Sequence, residues 1–298
     1  MQNQTTSAFL IRRSKLVVSP LSDGAVKKGA GSGADALIVD LTRSASGEPD
    51  EKIYARAGEA MKSLSGSGSD LFLWVSPQAV GQALAACWIP QLAGVVIAVD
   101  KPEAVKAVDV TLSAWEREKG LPEGQLQIDL ALASGQSVMD MHDLAAASSR
   151  VVSLTLDEDS LLAELGVERS LDVDQLLYPR GRAIIVARLF QVQAHSLGFV
   201  CGELSPLAMA AMGRKIGLRG ALCFDPGDVS ALNRGFRPAE SETEHAHKVI
   251  EVMDEAVKNG LGSTKLPDYS LDSLSQRPGG SPWKRTALGY AASTRSAK

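Results

Sequence analysis

The chain is poor in the residues that build metal and disulfide sites. It has three cysteines, Cys87, Cys201 and Cys223, and four histidines in 298 residues. The cysteines are odd in number, far apart and set in apolar patterns, which argues for reduced buried thiols over disulfides or zinc. His245 and His247 are two apart on a predicted helix and do not share a face. His142 and His195 fall in segments read as helical and are expected at the surface or as satisfied structural residues. An excess of charge of one sign is also missing. The 31 basic and 35 acidic residues are interspersed and the net charge is −4, so no footprint invites nucleic acid or an anionic membrane. No apolar run approaches the ~20 residues of a membrane span. The start, MQNQTTSAFLIRRSK, lacks the basic-then-apolar order and small-residue cleavage site of a secretory signal, so a cytoplasmic location is expected. A phosphate-cradling loop is absent too: GAGSGADA precedes a strand, whereas such a loop follows one and opens a helix.

What the chain has is 45% hydrophobic residues, enough for a substantial core, arranged in strand-length runs. KLVVS (15–19), ALIVDL (36–41), LFLWV (71–75), GVVIAV (94–99), LQIDLAL (126–132), VVSLTL (151–156), GFVCGEL (198–204) and GALCF (220–224) alternate with segments of helical character. Continuous Val, Ile and Leu runs predict strands buried on both faces, and their alternation with helices predicts parallel connections. Eight such units predict an α/β fold, a (β/α)8 TIM barrel over residues 13–237, in preference to a doubly wound open sheet. A helical extension at 238–260, expected to pack on the barrel, ends at Gly260. From 261 the chain is polar and rich in Gly, Pro and Ser, which predicts a mobile tail or a segment that orders against a partner.

A barrel carries its site at the carboxyl ends of its strands. The residues there are Ser19, Thr42, Arg43, Trp74, Ser76, Asp100, Ala131, Ser134, Asp157, Asp159, Ser160, Glu203 and Asp225.

Over roughly residues 13–250 the chain resembles the citrate lyase beta-subunit-like branch of the HpcH/HpaI aldolase superfamily, which includes malyl-CoA lyases. The resemblance is carried by RSKLVV (13–18), GADALIVDL followed by EKIYAR (51–56), AAASSRVVSLTL with LLAELG (145–166), and DPGDVSALNRGFRPAESE (225–242). It implies a Mg²⁺-dependent carbon–carbon lyase of CoA thioesters or of small oxo- or hydroxy-acids, in which a hard cation and positive side chains stabilise an enolate. It also implies a homo-oligomer, a trimer or hexamer, or a partnership with an active paralogue.

Position by position, the site of that family is altered. Its metal-binding glutamate after strand five falls on Ala131, its second metal-binding acid on Ser160 and its strand-three arginine on Trp74. The acidic pair after strand two falls on Thr42 and Arg43, a lysine on Val99, an aspartate on Cys201 and a histidine on Asp225. Arg13 is retained. Conventional Mg²⁺ chemistry is therefore not expected, and the candidates are what remains. Arg43, Glu203 and Asp225 are candidate catalytic groups; Arg13, Trp74, Ser76 and Ser160 are candidate substrate contacts. Asp129 and Asp159 are candidates for a displaced cation site. Against that stands the plainer expectation that Asp129 pairs with a buried base and that Asp157 and Asp159 cap a helix.

Overall fold

The computed structural model describes residues 11–42, 50–168, 170, 174–197, 205–237, 240–260, 263–266 and 269–272. Eight parallel strands follow one another around a closed barrel: β1 (Ser14–Val18), β2 (Ala36–Asp40), β3 (Asp70–Trp74), β4 (Leu92–Ala98), β5 (Gln127–Leu132), β6 (Val151–Asp157), β7 (Gln193–Leu197) and β8 (Gly220–Cys223). Closure comes from β8 pairing with β1 in the register Lys15 to Leu222. Around the barrel lie α1 (Asp23–Ala30), α2 (Glu51–Leu64), α3 (Val80–Cys87), α4 (Pro102–Lys119), α5 (Gly135–Met139), α6 (Met141–Ala146), α7 (Glu158–Leu165), α8 (Leu177–Phe190), α9 (Pro206–Ile216) and α10 (Val229–Gly235). The expected (β/α)8 architecture is the one observed.

Local sequence sets where the helices begin and end. Ser22, Asp50, Asp157 and Ser205 each accept a backbone N–H of the first turn they precede, and Ser134 does so within a reciprocal capping box with Ser137. Each such cap stabilises its helix by about 1 kcal/mol. Gly120, Gly166 and Gly217 stop α4, α7 and α9 in the left-handed conformation that favours glycine.

Strand side chains alternate between two environments. The outward set, including Leu16, Leu37, Val39, Leu73, Val95, Ile97, Leu130, Leu132, Leu154 and Leu156, packs under the helices in one continuous core. Each leucine so buried contributes roughly 1.5–3 kcal/mol. Two inward positions need glycine for close approach: a Cβ at Gly94 would stand 2.0 Å from the Gln127 carbonyl oxygen, and one at Gly220 would stand 2.1 Å from that of Arg12.

One strand is displaced from its expected place. The seventh strand is QAHSL at 193–197, not GFVCGEL at 198–204, which lies outside the described residues. QAHSL is short, polar and follows α8 after only two residues, so its hydropathy is that of a helix end; pairing with β6 and β8 makes it a strand. His195 is consequently not on a helix but fully buried in the barrel.

The described residues from Arg237 onward belong to a second compact unit. It contains α11 (Glu240–Lys258) and, inside the stretch read as a polar tail, an antiparallel hairpin of β9 (Ser263–Leu266) and β10 (Tyr269–Asp272).

Candidate functional site

The inner wall of the barrel is built in layers, because inward positions recur every second residue on each strand. At the amino-terminal end Arg12 closes the floor. Its Nε donates to Asp70 Oδ2 at 2.7 Å, its Nη2 donates to Gln127 Oε1 at 2.8 Å, and its guanidinium lies 5.0 Å from the centre of the Phe72 ring. Its backbone N–H donates to Gln193 Oε1 at 3.1 Å. Above this floor Lys15 reaches across the barrel from β1 to β5, where its ammonium pairs with Asp129 Oδ2 and donates to Ser153 Oγ at 2.9 Å. Thr155 Oγ1 donates to the other oxygen, Asp129 Oδ1, at 2.9 Å. Lys15 and Asp129 are each 1% exposed. Burial pulls the Lys15 pKa from 10.5 down to about 8, against the attraction of Asp129.

His195 completes this polar half. Burial, with the nearby charges of Lys15 and Arg12, holds its pKa well below the usual value. The ring is thus neutral, and its Nε2 lies 3.1 Å from the Arg12 carbonyl oxygen, which makes Nε2–H the donor.

Toward the carboxyl ends of the strands the chemistry changes. Val17, Ile38, Trp74, Val96, Ala131 and Leu222 line the interior there, in one apolar cluster with the deeper Ala36 and Phe72. Trp74 is only 6% exposed and Ala131 only 1%, so the indole occupies space at the mouth instead of lining an open bowl. Ala131 projects no polar atom into this space.

The other candidates are distributed around the rim or away from it. Asp157 accepts the Ser160 backbone N–H at 3.2 Å and the Ser160 hydroxyl at 2.9 Å, which commits both residues to capping α7. Asp159 is an exposed residue of that helix's first turn. Asp225 is exposed and accepts the Gly227 N–H at 2.8 Å, holding the turn after β8. Beside it Asp228 has its pKa raised by burial and by the Asp225 charge. Ser76 is exposed after β3. Arg13 sits at the opposite end of the barrel, with Nε 2.8 Å from Asp35 Oδ2 and Nη2 2.7 Å from Asp35 Oδ1. That bidentate pair stitches the start of β1 to the start of β2, so Arg13 does not meet the rim candidates. Arg43 and Glu203 lie outside the described residues.

Three inward groups escaped the sequence reading. Lys15 and Asp40 stand within apolar strand runs, and His195 in a segment of helical character. Asp40 is buried at the rim end of β2, in register with Trp74, and its Oδ1 accepts the Thr42 N–H at 2.8 Å and the Thr42 hydroxyl at 2.7 Å. The missed signal was the period of two, which puts Lys15, Val17, Ile38 and Asp40 on the same inner surface.

Mg²⁺ is ordinarily held by one or two carboxylates plus waters and substrate oxygens. The donor set here does not fit that need. Ala131 offers no donor, the Ser160 hydroxyl is given to Asp157, and both Asp129 oxygens are taken by Lys15 and Thr155. Among the described residues no group of three or more His, Cys, Asp or Glu side chains is placed to hold a metal ion. Among them, too, no helix is long and apolar enough to cross a membrane.

Comparison with known proteins points in one direction. The family model described as HpcH/HpaI aldolase/citrate lyase matches residues 14–226. The citrate lyase subunit beta of Haemophilus influenzae is 26% identical over 183 residues, which are 60% of this chain and 63% of that protein. The matched region thus spans less than two thirds of that relative's length. The L-malyl-CoA/beta-methylmalyl-CoA lyase of Cereibacter sphaeroides is 25% identical over 287 residues, covering 84% of this chain and 86% of the lyase. Among solved structures, protein CitE of Mycobacterium tuberculosis in complex with magnesium, acetoacetate and coenzyme A has a TM-score of 0.62 at 15% identity, covering 96% of this chain and 99% of that one.

Proposed function

The chain belongs to the HpcH/HpaI aldolase/citrate lyase family, and we propose that it is a member without the metal-assisted lyase step, binding a small acid or CoA thioester and not cleaving it. It acts alone or beside an active paralogue. The observation that carries this reading is Ala131, 1% exposed within the apolar cluster of Trp74, Val96 and Leu222. Carbon–carbon cleavage next to a thioester or carboxylate builds an enolate, and stabilising that charge requires a cation or several aimed donors. Losing one such donor typically costs about 3–4 kcal/mol of transition-state stabilisation. With Ala131, Ser160 and Trp74 in place of two acids and an arginine, three elements are altered together.

A second reading is a remodelled, metal-independent lyase site, and Asp40 favours it. This carboxylate ends β2 on the inner wall, beside Trp74, where an acid or base facing the mouth would stand. One experiment separates the two. The purified chain is incubated with malyl-CoA and related thioesters, with Mg²⁺ or with EDTA, while melting temperature and thioester cleavage are followed. A thioester-dependent rise in melting temperature without cleavage is expected. Cleavage that needs Mg²⁺ overturns the proposal; cleavage indifferent to EDTA and abolished in Asp40→Asn establishes the second reading instead.

A further inference from the structure

His195 is left with an unmet hydrogen-bond acceptor inside the barrel. The residue is fully buried, and its Nε2–H is committed to the Arg12 carbonyl oxygen at 3.1 Å, so Nδ1 carries a bare lone pair. Among the described residues nothing donates to it. Buried polar atoms in folded proteins are nearly always hydrogen-bonded, to the protein or to ordered water, and an exception calls for a reason.

Unspent donors surround that lone pair. The Cδ2 edge of the ring faces β8, where a Cβ at Gly220 would stand 2.9 Å from it. The Nδ1 edge therefore looks the other way, toward β6, whose Thr155 is in register with His195. Ser153 Oγ, two residues earlier on β6, accepts from Lys15, while its own hydroxyl hydrogen goes to no acceptor among the described residues. The Lys15 ammonium has three donors, of which two are used, toward Asp129 Oδ2 and Ser153 Oγ. Thr155 Oγ1 spends its hydrogen on Asp129 Oδ1 and keeps lone pairs to accept with. No direct bond joins His195 Nδ1 to any of the three.

The interior is thinly filled at this level. Successive strand registers put Lys15, Phe72, Asp129 and His195 in one layer, from the odd-numbered strands, and Ala36, Gly94, Ser153 and Gly220 in the adjoining layer, from the even-numbered ones. A barrel layer is ordinarily filled by four side chains, most of them bulky. In the second layer two of the four are glycine and the others alanine and serine, so its own side chains fill little of the axis.

We propose that His195, Ser153, Thr155 and Lys15 together bind one ordered water molecule inside the barrel. The water donates to His195 Nδ1 and Thr155 Oγ1 and accepts from the Ser153 hydroxyl and the third Lys15 N–H. Two to four such partners are what a buried water requires. The mixture of donors and acceptors selects a neutral molecule: an anion would meet the Nδ1 lone pair and the Asp129 carboxylate, and a cation would meet the Lys15 ammonium. Bound there, the water joins the hydrogen bonds of Arg12 and His195 to those of Lys15 and Asp129, so that the two buried sets become one network.

The test is a crystal structure of the full-length wild type that shows ordered solvent, together with a count of long-lived internal waters in solution by oxygen-17 relaxation dispersion. The count is made for the wild type, His195→Phe, Ser153→Val, and Ser63→Ala on the exposed face of α2 as a control. His195→Phe keeps a ring and removes the acceptor; Ser153→Val exchanges the donor for methyl groups. The expected result is a solvent peak about 2.7–3.2 Å from both His195 Nδ1 and Ser153 Oγ, and a count that falls by one in both interior variants and stays unchanged in the control. A crystal structure in which Nδ1 accepts directly from Ser153 or Lys15, or faces only carbon atoms, overturns the proposal, and it does so even where a variant fails to fold. A count that both interior variants leave unchanged overturns it equally.

Discussion

The two halves of the barrel interior differ in chemistry although the same strands build both. The lower half holds two hydrogen-bonded sets, Arg12 with Asp70, Gln127 and His195 and Lys15 with Asp129 and Ser153, while the upper half is lined by Val17, Ile38, Trp74, Val96, Ala131 and Leu222. In a barrel enzyme the carboxyl ends of the strands carry the reacting groups and the amino ends carry stability. Here a fully buried lysine–aspartate pair, Lys15 with Asp129, sits toward the stability end. The charges deep in the barrel neutralise one another, and the carboxyl end is lined by the Trp74 indole and the Ala131 methyl group. The difference teaches that a barrel can concentrate buried charge toward the end that holds its strands together while packing the other end with apolar side chains.

The largest effect expected from breaking this contrast is at Lys15. Lys15→Met leaves Asp129 buried without its cation and should cost about 3–5 kcal/mol in urea unfolding, whereas Lys15→Met with Asp129→Leu should restore most of that loss. A single variant as stable as the wild type would mean that the pair is not buried as described. Next comes the upper half: Trp74→Ala removes a nearly buried indole and should cost about 3 kcal/mol. If stability is instead unchanged while thioester affinity rises, Trp74 obstructs a preformed pocket.

Restoring a carboxylate sharpens the comparison further. Ala131→Glu places an acid among apolar neighbours and should cost about 2 kcal/mol without metal. Combined with Ser160→Asp, it should introduce a Mg²⁺-dependent rise in melting temperature that the wild type lacks. No rise would show that carboxylates at these two positions do not by themselves make a cation site.

A pH effect follows from Lys15. Its folded pKa of about 8 lies below the ordinary 10.5, so between those values the unfolded chain holds more protons. Stability should therefore rise with pH across that window, by at most about 1.4 kcal/mol per unit. Urea midpoints of the wild type measured from pH 7.5 to 10.5 should gain on those of the double variant lacking Lys15 and Asp129; parallel curves would sink the assignment. The smallest effect is at the rim, where Asp157→Ala removes the α7 cap and should cost about 1 kcal/mol with no effect on ligand binding. Altered binding would return Asp157 to the site.

Seven of the eight strands were legible because Val, Ile and Leu runs bounded by turn residues leave few alternatives. The seventh was not, since QAHSL has neither apolar continuity nor alternation and its strand state depends on pairing with β6 and β8. The rim positions could be read once the strand ends were fixed, because residues just after a strand are found by counting. That Asp129 pairs with a buried base was one of its two expected roles and is the one observed, but that the base is Lys15 could not be assigned by counting. A lysine opening an apolar run reads as a strand border, and nothing local says that its side chain crosses the barrel to a partner 114 residues away.

Sequence by itself determined the architecture of this protein, its family and the absence of a glutamate at 131, because hydrophobic period and residue identity are local properties. The tertiary structure alone decided that Asp129 is paired with Lys15, that Arg13 is paired with Asp35, and that Arg182 of α8 folds back onto the carbonyls of Val138 and Met139. Those outcomes depend on which distant side chains closure of the barrel brings within about 3 Å, the range over which a hydrogen bond or ion pair forms.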